Sequence, residues 1–337
     1  MTIEILIAAT VSAAVATSIC WLATPIGNFF GILDNPDADR KLHGHVTPLV
    51  GGLAVVIPSV AISLVLADGP VAIIYAVLGV ACSVALVLGL IDDRNHIHPA
   101  ARLLFAILVA WTSIYFVPDF ELSFLRFSFI SQNFFLEGWS GVFSVLCLVG
   151  LLNAVNMADG KNGLVIGMSL VWCALLALYL PQYSWVLVFG LFASLLVAFI
   201  FNLRGRIFLG DSGSYALSIL FGLLAIYAYN INFAYVSADA IALWFLVPVL
   251  DCVRLMVWRV IQGRSPFSPD SSHLHHYLDR SMSWSFGLPL YLLLVAVPPA
   301  LAYVWPDRTG LWMLLTFIVY VSSLVLLGRQ KPYEQTT

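Results

Sequence analysis

Long apolar segments alternate with short polar segments along almost the whole chain. A helix needs about 20 predominantly apolar residues to cross a bilayer, and the pattern predicts eleven such spans. We therefore expect an all-α integral membrane protein, a polytopic bundle of about eleven transmembrane helices in one domain. The predicted spans are residues 3–26, 49–67, 71–91, 101–118, 139–157, 163–180, 184–201, 212–230, 239–258, 284–304 and 310–328.

Composition supports lipid as the solvent for most of the chain. Hydrophobic residues make up 61% of the sequence and charged residues 10%, whereas soluble domains carry about 25% charged residues. The segment Met1 to Trp21 lacks a basic start and a cleavage site, which favours a retained first span over a removed signal peptide. The five cysteines stand singly in apolar segments, so we predict that they are small buried hydrophobic residues. No basic stripe suggests nucleic acid.

The distribution of basic residues predicts the orientation. Eleven spans place the two termini on opposite sides, and lysine and arginine collect in cytoplasmic loops. The N-terminus is thus predicted outside and the C-terminus in the cytoplasm, with Arg126 and Arg308 on the outer side. The other thirteen of the fifteen basic residues fall on the cytoplasmic side: Arg40, Lys41, Arg94, Arg102, Lys161, Arg204, Arg206, Arg254, Arg259, Arg264, Arg280, Arg329 and Lys331.

All seven histidines and most aspartates share the predicted cytoplasmic side. The positive-inside rule does not explain them, because acidic residues contribute little to topology. We therefore expect an active site assembled from five polar segments at this face. The segments are residues 28–48, 92–102, 156–163, 202–214 and 259–283.

Asp92 and Asp93 stand together at the predicted end of the third span. Two adjacent carboxylates repel each other and lie at the unfavourable end of the helix dipole. A divalent metal, Arg94 or Arg102 is expected to compensate them. The alternative is an ordinary solvated loop.

Asn153 and Asn156 lie three residues apart and thus on one helix face, just before Asp159, Gly160 and Asn162. Amides at membrane depth usually face the bundle or a water-filled cavity. The pattern favours a ligand site over a plain polar turn.

The segment 202–214 leads into the eighth span, with Asp211 or Ser212 as the predicted N-cap. Free N–H groups at such a helix start favour a phosphate site. A carboxylate beside it is suited to Mg²⁺, which prefers one or two carboxylates plus substrate phosphate oxygens.

The segment 259–283 carries Arg259, Arg264, His273, His275 and His276. Three histidines in four positions could bind a transition metal or hold phosphate. Zinc needs about four well-placed ligands, so we predict phosphate contact.

The segment from Asp34 to Gly52 mixes both charge signs with turn residues, and its Gly51-Gly52 pair permits close helix or ligand approach. We include Asp34, Lys41 and His43 among the predicted substrate-binding residues.

In this order, the five segments resemble the polyprenyl-phosphate N-acetylhexosamine-1-phosphate transferases (glycosyltransferase family 4). The narrower similarity is to the bacterial branch that uses UDP-GlcNAc and undecaprenyl phosphate to begin O-antigen and common antigen synthesis. It is carried by Arg40-Lys-Leu-His, Pro48-Leu-Val-Gly-Gly, Ile91-Asp-Asp-Arg and Ser265-Pro-Phe-Ser-Pro-Asp270 followed by His273-Leu-His-His.

The resemblance implies a Mg²⁺- or Mn²⁺-dependent enzyme of the bacterial inner membrane that releases UMP. It implies metal ligation by Asp211 and Asn156 and catalytic roles for Asp92, Asp93 and Asp159. The implied substrate-binding residues are Arg102, Asn153, Asn162, Arg259, His273, His275 and His276.

Several alternatives stay open at this point. Asn162 stands where many bacterial members have Asp, so the donor could be another UDP-N-acetyl sugar, such as a 6-deoxy sugar, or UDP-MurNAc-pentapeptide. Direct displacement by the lipid phosphate is favoured over a covalent aspartyl intermediate. A homodimer is left open. An ion-coupled transporter is the distant alternative. Its ionisable residues would lie near the bilayer midplane, whereas the acids of this chain cluster at the ends of the predicted spans.

Overall fold

The computed structural model describes residues 2–34, 46–66, 71–268 and 270–328. Within them the fold is all-α apart from two short antiparallel hairpins. The hairpins pair β1 (Leu33–Asp34) with β2 (Thr47–Pro48) and β3 (Phe124–Leu125) with β4 (Phe134–Phe135). The helices are α1 (Thr2–Trp21), α2 (Ala23–Phe30), α3 (Gly51–Leu66), α4 (Ala72–Asn95), α5 (Pro99–Phe116), α6 (Ser140–Ala158), α7 (Leu164–Tyr179), α8 (Trp185–Leu203), α9 (Gly210–Asn232), α10 (Ala238–Ile261), α11 (Leu274–Ser281), α12 (Trp284–Val304) and α13 (Thr309–Leu327).

The helices agree with the predicted apolar segments. Nine in the described part of the chain are long and apolar enough to cross a membrane, and the apolar helices α3 and α7 are shorter. Each of the eleven predicted spans corresponds to one of these helices, the first extending into α2. The chain is thus a multi-pass membrane protein, while the number of spans remains a prediction.

One short helix was not predicted. The polar segment 259–283 contains no predicted helix, but α11 lies within it. Leu274 and Leu278 are buried and lie one turn apart, so they form a narrow apolar face. The remaining residues of α11 are mostly polar. A search for long apolar segments therefore does not detect this helix.

The central helix is α9, whose residues from Ser212 to Tyr229 are buried without interruption. Its first turn touches the backbones of α3 and α4 closely. A Cβ atom added at Gly52 or Gly89 would collide with the backbone of Gly213 or Ser212. The expectation that Gly51-Gly52 permits close helix approach is confirmed at this contact.

The bundle has two distinct ends. At one, which we call the site end, α4, α6, α8 and α10 end and α5, α7, α9 and α12 begin. Four of the five polar segments meet there, and the fifth joins them where the Phe208 N–H donates to the Pro48 carbonyl at 2.9 Å. At the opposite end, β3 and β4 cover the end of α9 and the start of α10. Ser128 and Arg126 of this hairpin bond to Asp239 and Tyr229.

Candidate active site

Asp93 of α4 caps the first turn of α9. Its two carboxylate oxygens accept from the backbone N–H groups of Asp211 at 2.8 Å and Ser212 at 3.1 Å. The N-cap residue is Leu209, and no side chain of α9 caps its own start. The prediction that Asp211 or Ser212 is the N-cap is therefore wrong, because a carboxylate 118 residues earlier in the chain takes that place. Those two N–H groups are thus not free for phosphate.

Asn156 and Asp211, the predicted metal ligands, lie in direct contact. The Asn156 amide nitrogen donates to Asp211 Oδ1 at 2.5 Å and to Ser214 Oγ at 3.2 Å. The amide oxygen of Asn156 and Oδ2 of Asp211 make no hydrogen bond to any described residue. Two residues thus lie in contact that each offer an oxygen atom of the kind that Mg²⁺ prefers as a ligand.

Asp159 adds a third carboxylate to this group. It follows the last residue of α6 and is half-buried. Burial and repulsion by Asp211 and Asp93 raise the pKa of Asp159 to about 8, because a buried carboxylate among like charges resists ionisation. Its side chain makes no hydrogen bond within the described residues. No described residue forms an ion pair with Asp93, Asp159 or Asp211, and the oxygens of Asp159 and Asp211 suit a divalent cation.

Asp92 points to a different side of α4 from Asp93, because adjacent residues of a helix diverge by about 100°. Its side chain is buried at 1% exposure. It accepts from the Ile97 backbone N–H at 2.7 Å and from the Tyr215 hydroxyl at 2.6 Å. The Arg102 Nε atom lies 3.3 Å from it, and Arg102 also donates to the Tyr215 hydroxyl. Asp92 and Tyr215 thus hold Arg102 in place.

Two clefts open at the site end. The larger, of about 810 Å³, contains the oxygen donors just described. The smaller, of about 250 Å³, has Arg102 and the three histidines in its walls. Asn156, Gly160 and His276 line both clefts, so the two clefts meet beside the predicted metal ligands.

The three histidines of α11 and its N-cap form a close cluster of rings. The rings of His275 and His276 lie 4.3 Å apart, and His273 stacks on His275 at 5.2 Å. Burial and nearby positive groups lower the pKa of His276 to about 4 and that of His275 well below its usual value. Both are therefore neutral at pH 7 and would meet phosphate as neutral hydrogen-bond donors.

Arg259 anchors the segment that precedes the histidines. Its Nε atom lies 2.8 Å from Asp270 Oδ2, and a terminal nitrogen donates to the Pro266 carbonyl at 2.6 Å. The side chain is almost fully buried and lines the smaller cleft. Part of its donor capacity is thus used within the protein, and the phosphate contact predicted for it stays a prediction.

Most predicted site residues gather at these clefts. Asp34, Asp93, Asn156, Asp159, Asn162, Asp211 and His276 line the larger one. Arg102, Asn153, Asn156, Arg259, His273, His275 and His276 line the smaller one. Asp92 lies behind Arg102 and lines neither. Lys41 and His43 lie outside the described residues.

Sequence reasoning missed several residues of the site. Tyr215 lies one turn after Asp211 on α9, a spacing that could have suggested it. Lys161 and Asp279 form an ion pair at 2.5 Å across the larger cleft. Trp284 donates from its indole N–H to the Asn162 carbonyl at 2.8 Å. No local pattern marks these last three, because each depends on a tertiary contact.

Fold and site thus define a multi-pass membrane protein with two adjoining polar clefts, the larger one acidic, at one end of the bundle. The family model for glycosyl transferase family 4 matches residues 74–229. A probable undecaprenyl-phosphate N-acetylglucosaminyl 1-phosphate transferase of Bacillus subtilis is 29% identical over 98% of this chain and 94% of its own length. The undecaprenyl-phosphate alpha-N-acetylglucosaminyl 1-phosphate transferase of Escherichia coli K12 is 30% identical over 79% of this chain and 74% of its own length. The chain belongs to glycosyl transferase family 4.

Proposed function

We propose that this protein transfers N-acetylglucosamine 1-phosphate from UDP-GlcNAc to undecaprenyl phosphate and releases UMP. One observation carries the proposal: three carboxylates and Asn156 gather where two clefts meet. The similarity to transferases so named extends over nearly the whole chain. The product would be a lipid-linked sugar diphosphate, the first intermediate of a cell-surface polysaccharide of the O-antigen or common antigen type.

The sizes and linings of the clefts support an assignment of the two substrates. The larger cleft falls within the range of about 300–1,000 Å³ typical of small-molecule sites, and we assign it to UDP-GlcNAc. The smaller cleft combines Arg102 with apolar side chains of α5 and α6, including Leu103, Ala106 and Leu152. A phosphate attached to an apolar chain suits this mixture, so we assign it to undecaprenyl phosphate.

Both substrates are negatively charged where they react. Two unit charges ~4 Å apart repel by about 4 kcal/mol at an effective dielectric constant of 20. Asp211 and Asn156 would hold a Mg²⁺ or Mn²⁺ ion, which when bound neutralises this charge on the diphosphate. Arg102, fixed by Asp92 and Tyr215, would orient the lipid phosphate.

The proposed reaction is a single displacement. A lipid phosphate oxygen forms a bond to the sugar-side phosphorus of UDP-GlcNAc, the bridging P–O bond breaks, and UMP leaves with the bridging oxygen. Both oxygens of Asp93 already accept backbone hydrogen bonds. Asp92 is buried, accepts two hydrogen bonds and is paired with Arg102. Neither is well placed as a nucleophile, which favours direct displacement over an aspartyl intermediate.

The proposed location depends on the orientation predicted from the basic residues. The predicted orientation puts the site end in the cytoplasm, where nucleotide sugars are present. We therefore propose a multi-pass protein of the bacterial inner membrane with its active site facing the cytoplasm. The described carboxylates of the site lie at helix ends and not at the midplane, so the transporter alternative gains no support.

The experiment is a donor panel on purified full-length protein with undecaprenyl phosphate and Mg²⁺. We expect UMP release with UDP-GlcNAc, and none when EDTA replaces Mg²⁺. Release with a UDP-6-deoxy-N-acetyl sugar or UDP-MurNAc-pentapeptide instead would keep the chemistry and change the donor. No UMP with any of these donors would refute the proposal.

A further inference from the structure

Asp251 is a buried carboxylate of α10 that lines neither cleft. Its Oδ2 atom lies 2.9 Å from His273 Nδ1 and accepts from the Leu274 backbone N–H at 3.1 Å. Its Oδ1 atom accepts from Arg254 and from the Tyr320 hydroxyl, both at 2.8 Å. Four donors thus converge on one carboxylate directly beneath the histidine segment.

The contact with Asp251 fixes the tautomer of His273. A carboxylate of this kind can only accept, so the proton must lie on Nδ1 of the imidazole. Nε2 is then the remaining polar atom of the ring, and it can donate to a phosphate oxygen only when it also carries a proton, that is, in the imidazolium form. His273 lines the smaller cleft. A carboxylate on one ring nitrogen commonly orients the other toward a ligand.

The same network ties the histidine segment to the last helix. Arg254 donates to the Ser272 carbonyl at 2.5 Å and to the Tyr320 hydroxyl at 2.9 Å. Tyr320 belongs to α13 and is buried. The start of α11 is therefore held by side chains from α10 and α13.

A metal site is the competing interpretation. Asp251, His273 and His275 each offer one ligand atom, and these atoms lie within 4.8 Å of one another. However, both oxygens of Asp251 already accept two hydrogen bonds each, and the Arg254 guanidinium lies 2.8 Å away. A cation there would have to displace this positive charge, so the geometry favours a positioning role.

We propose that Asp251, held by Arg254 and Tyr320, is a positioning residue that orients the His273 imidazolium, so that its Nε2–H donates to phosphate in the smaller cleft. The inference rests on the proposed function, because the phosphate is that of its substrates. Removing an orienting partner of this type typically lowers activity by about 10–100-fold.

A double-mutant cycle on full-length protein tests the proposal. We expect Asp251→Asn to lower kcat for UMP release by about 10–100-fold. In a His273→Gln background, the same substitution should change kcat by no more than about twofold. Tyr320→Phe, a milder change, should give an intermediate loss that also vanishes in that background. An equal loss in both backgrounds would mean a merely structural role and would overturn the proposal.

Asp239→Asn is the matched control, because Asp239 is a buried aspartate of the same helix at the opposite end. It should leave kcat unchanged in either background. If the site held a metal, elemental analysis would find Zn²⁺ bound to the wild-type protein and lost in Asp251→Asn. That outcome would also overturn the proposal.

NMR of ¹⁵N-histidine-labelled wild-type protein separates this inference from the proposed function. We expect a proton on Nδ1 of His273, assigned by its loss in His273→Gln and absent in Asp251→Asn. A His273 protonated only on Nε2 would overturn the inference whether or not UMP is released. An intact Nδ1 proton without UMP release from any donor would refute the proposed function alone.

Discussion

Asp239 at the opposite end of the bundle and Asp159 at the site end differ in how far their carboxylates are satisfied. At the opposite end, Asp239 is 2% exposed and accepts from the N–H and hydroxyl of Ser128 at 2.9 and 2.6 Å. At the site end, Asp159 makes no hydrogen bond within the described residues and lies near Asp93 and Asp211, and its pKa is raised to about 8.

This difference distinguishes a carboxylate satisfied by hydrogen bonds from one without a hydrogen-bond partner among the described residues. A buried acid with two donors is satisfied and adds stability, whereas a group of acids without a matching cation destabilises the folded chain. Perturbed groups of the second kind concentrate at functional sites. The comparison therefore supports the site end as the place of chemistry, independently of the family relationship.

The largest expected effect is on turnover in Asp211→Asn. Losing a charge that would hold the cation should lower kcat for UMP release by about 100–1,000-fold or more. Mg²⁺ should also stop raising the thermal unfolding temperature. Asp239→Asn, the same substitution at the opposite end, should keep its turnover and lose about 1–3 kcal/mol of unfolding free energy. Equal losses of turnover in the two variants would remove the distinction between the ends.

A smaller effect is expected in Tyr215→Phe. The hydroxyl bonds to both Asp92 and Arg102, so its loss should loosen Arg102 and reduce kcat/KM for undecaprenyl phosphate by about 10-fold. Steady-state kinetics with each substrate varied in turn would measure it. A loss confined to UDP-GlcNAc would contradict the assignment of the smaller cleft to the lipid phosphate.

Asn162→Asp should alter donor use by a few-fold while leaving the fold intact. The residue lines the larger cleft, and its backbone carbonyl accepts from the Trp284 indole N–H. The substitution therefore changes the side-chain amide to a carboxylate on a backbone that is held in place. Relative kcat/KM across a panel of UDP-sugars is the measurement. Unchanged values for every donor would exclude Asn162 from the donor site.

The subtlest effect is a pH dependence of stability in EDTA. The folded-state pKa of Asp159, about 8, exceeds the value of about 3.9 for an unfolded chain. Wild-type protein should therefore lose stability as pH rises from about 4 to 8, and Asp159→Asn should not show this component. Thermal unfolding at pH 5 and pH 9 tests it. A variant no more stable than wild type at pH 9 would contradict the assignment.

The helices were predictable from sequence and several site contacts were not. Every predicted span corresponds to a helix, because lipid-exposed backbone must satisfy its hydrogen bonds internally. In contrast, the capping of α9 by Asp93, the placement of Asp92 behind Arg102 and the link from Tyr320 to Asp251 depend on contacts between distant residues. Short motifs could indicate which polar segments matter. They could not indicate which oxygen accepts from which donor.

The most direct test follows the sugar-side phosphorus of the donor. Protein supplied with UDP-GlcNAc labelled with ³²P at the sugar-side phosphate, undecaprenyl phosphate and Mg²⁺ should move the label into the organic phase. Unlabelled UMP should appear in equal amount, and the Asp211→Asn variant should do neither. Label that stays in water-soluble UDP while sugar enters the lipid would mean transfer of the sugar alone, and would contradict phosphate-centred chemistry at this site.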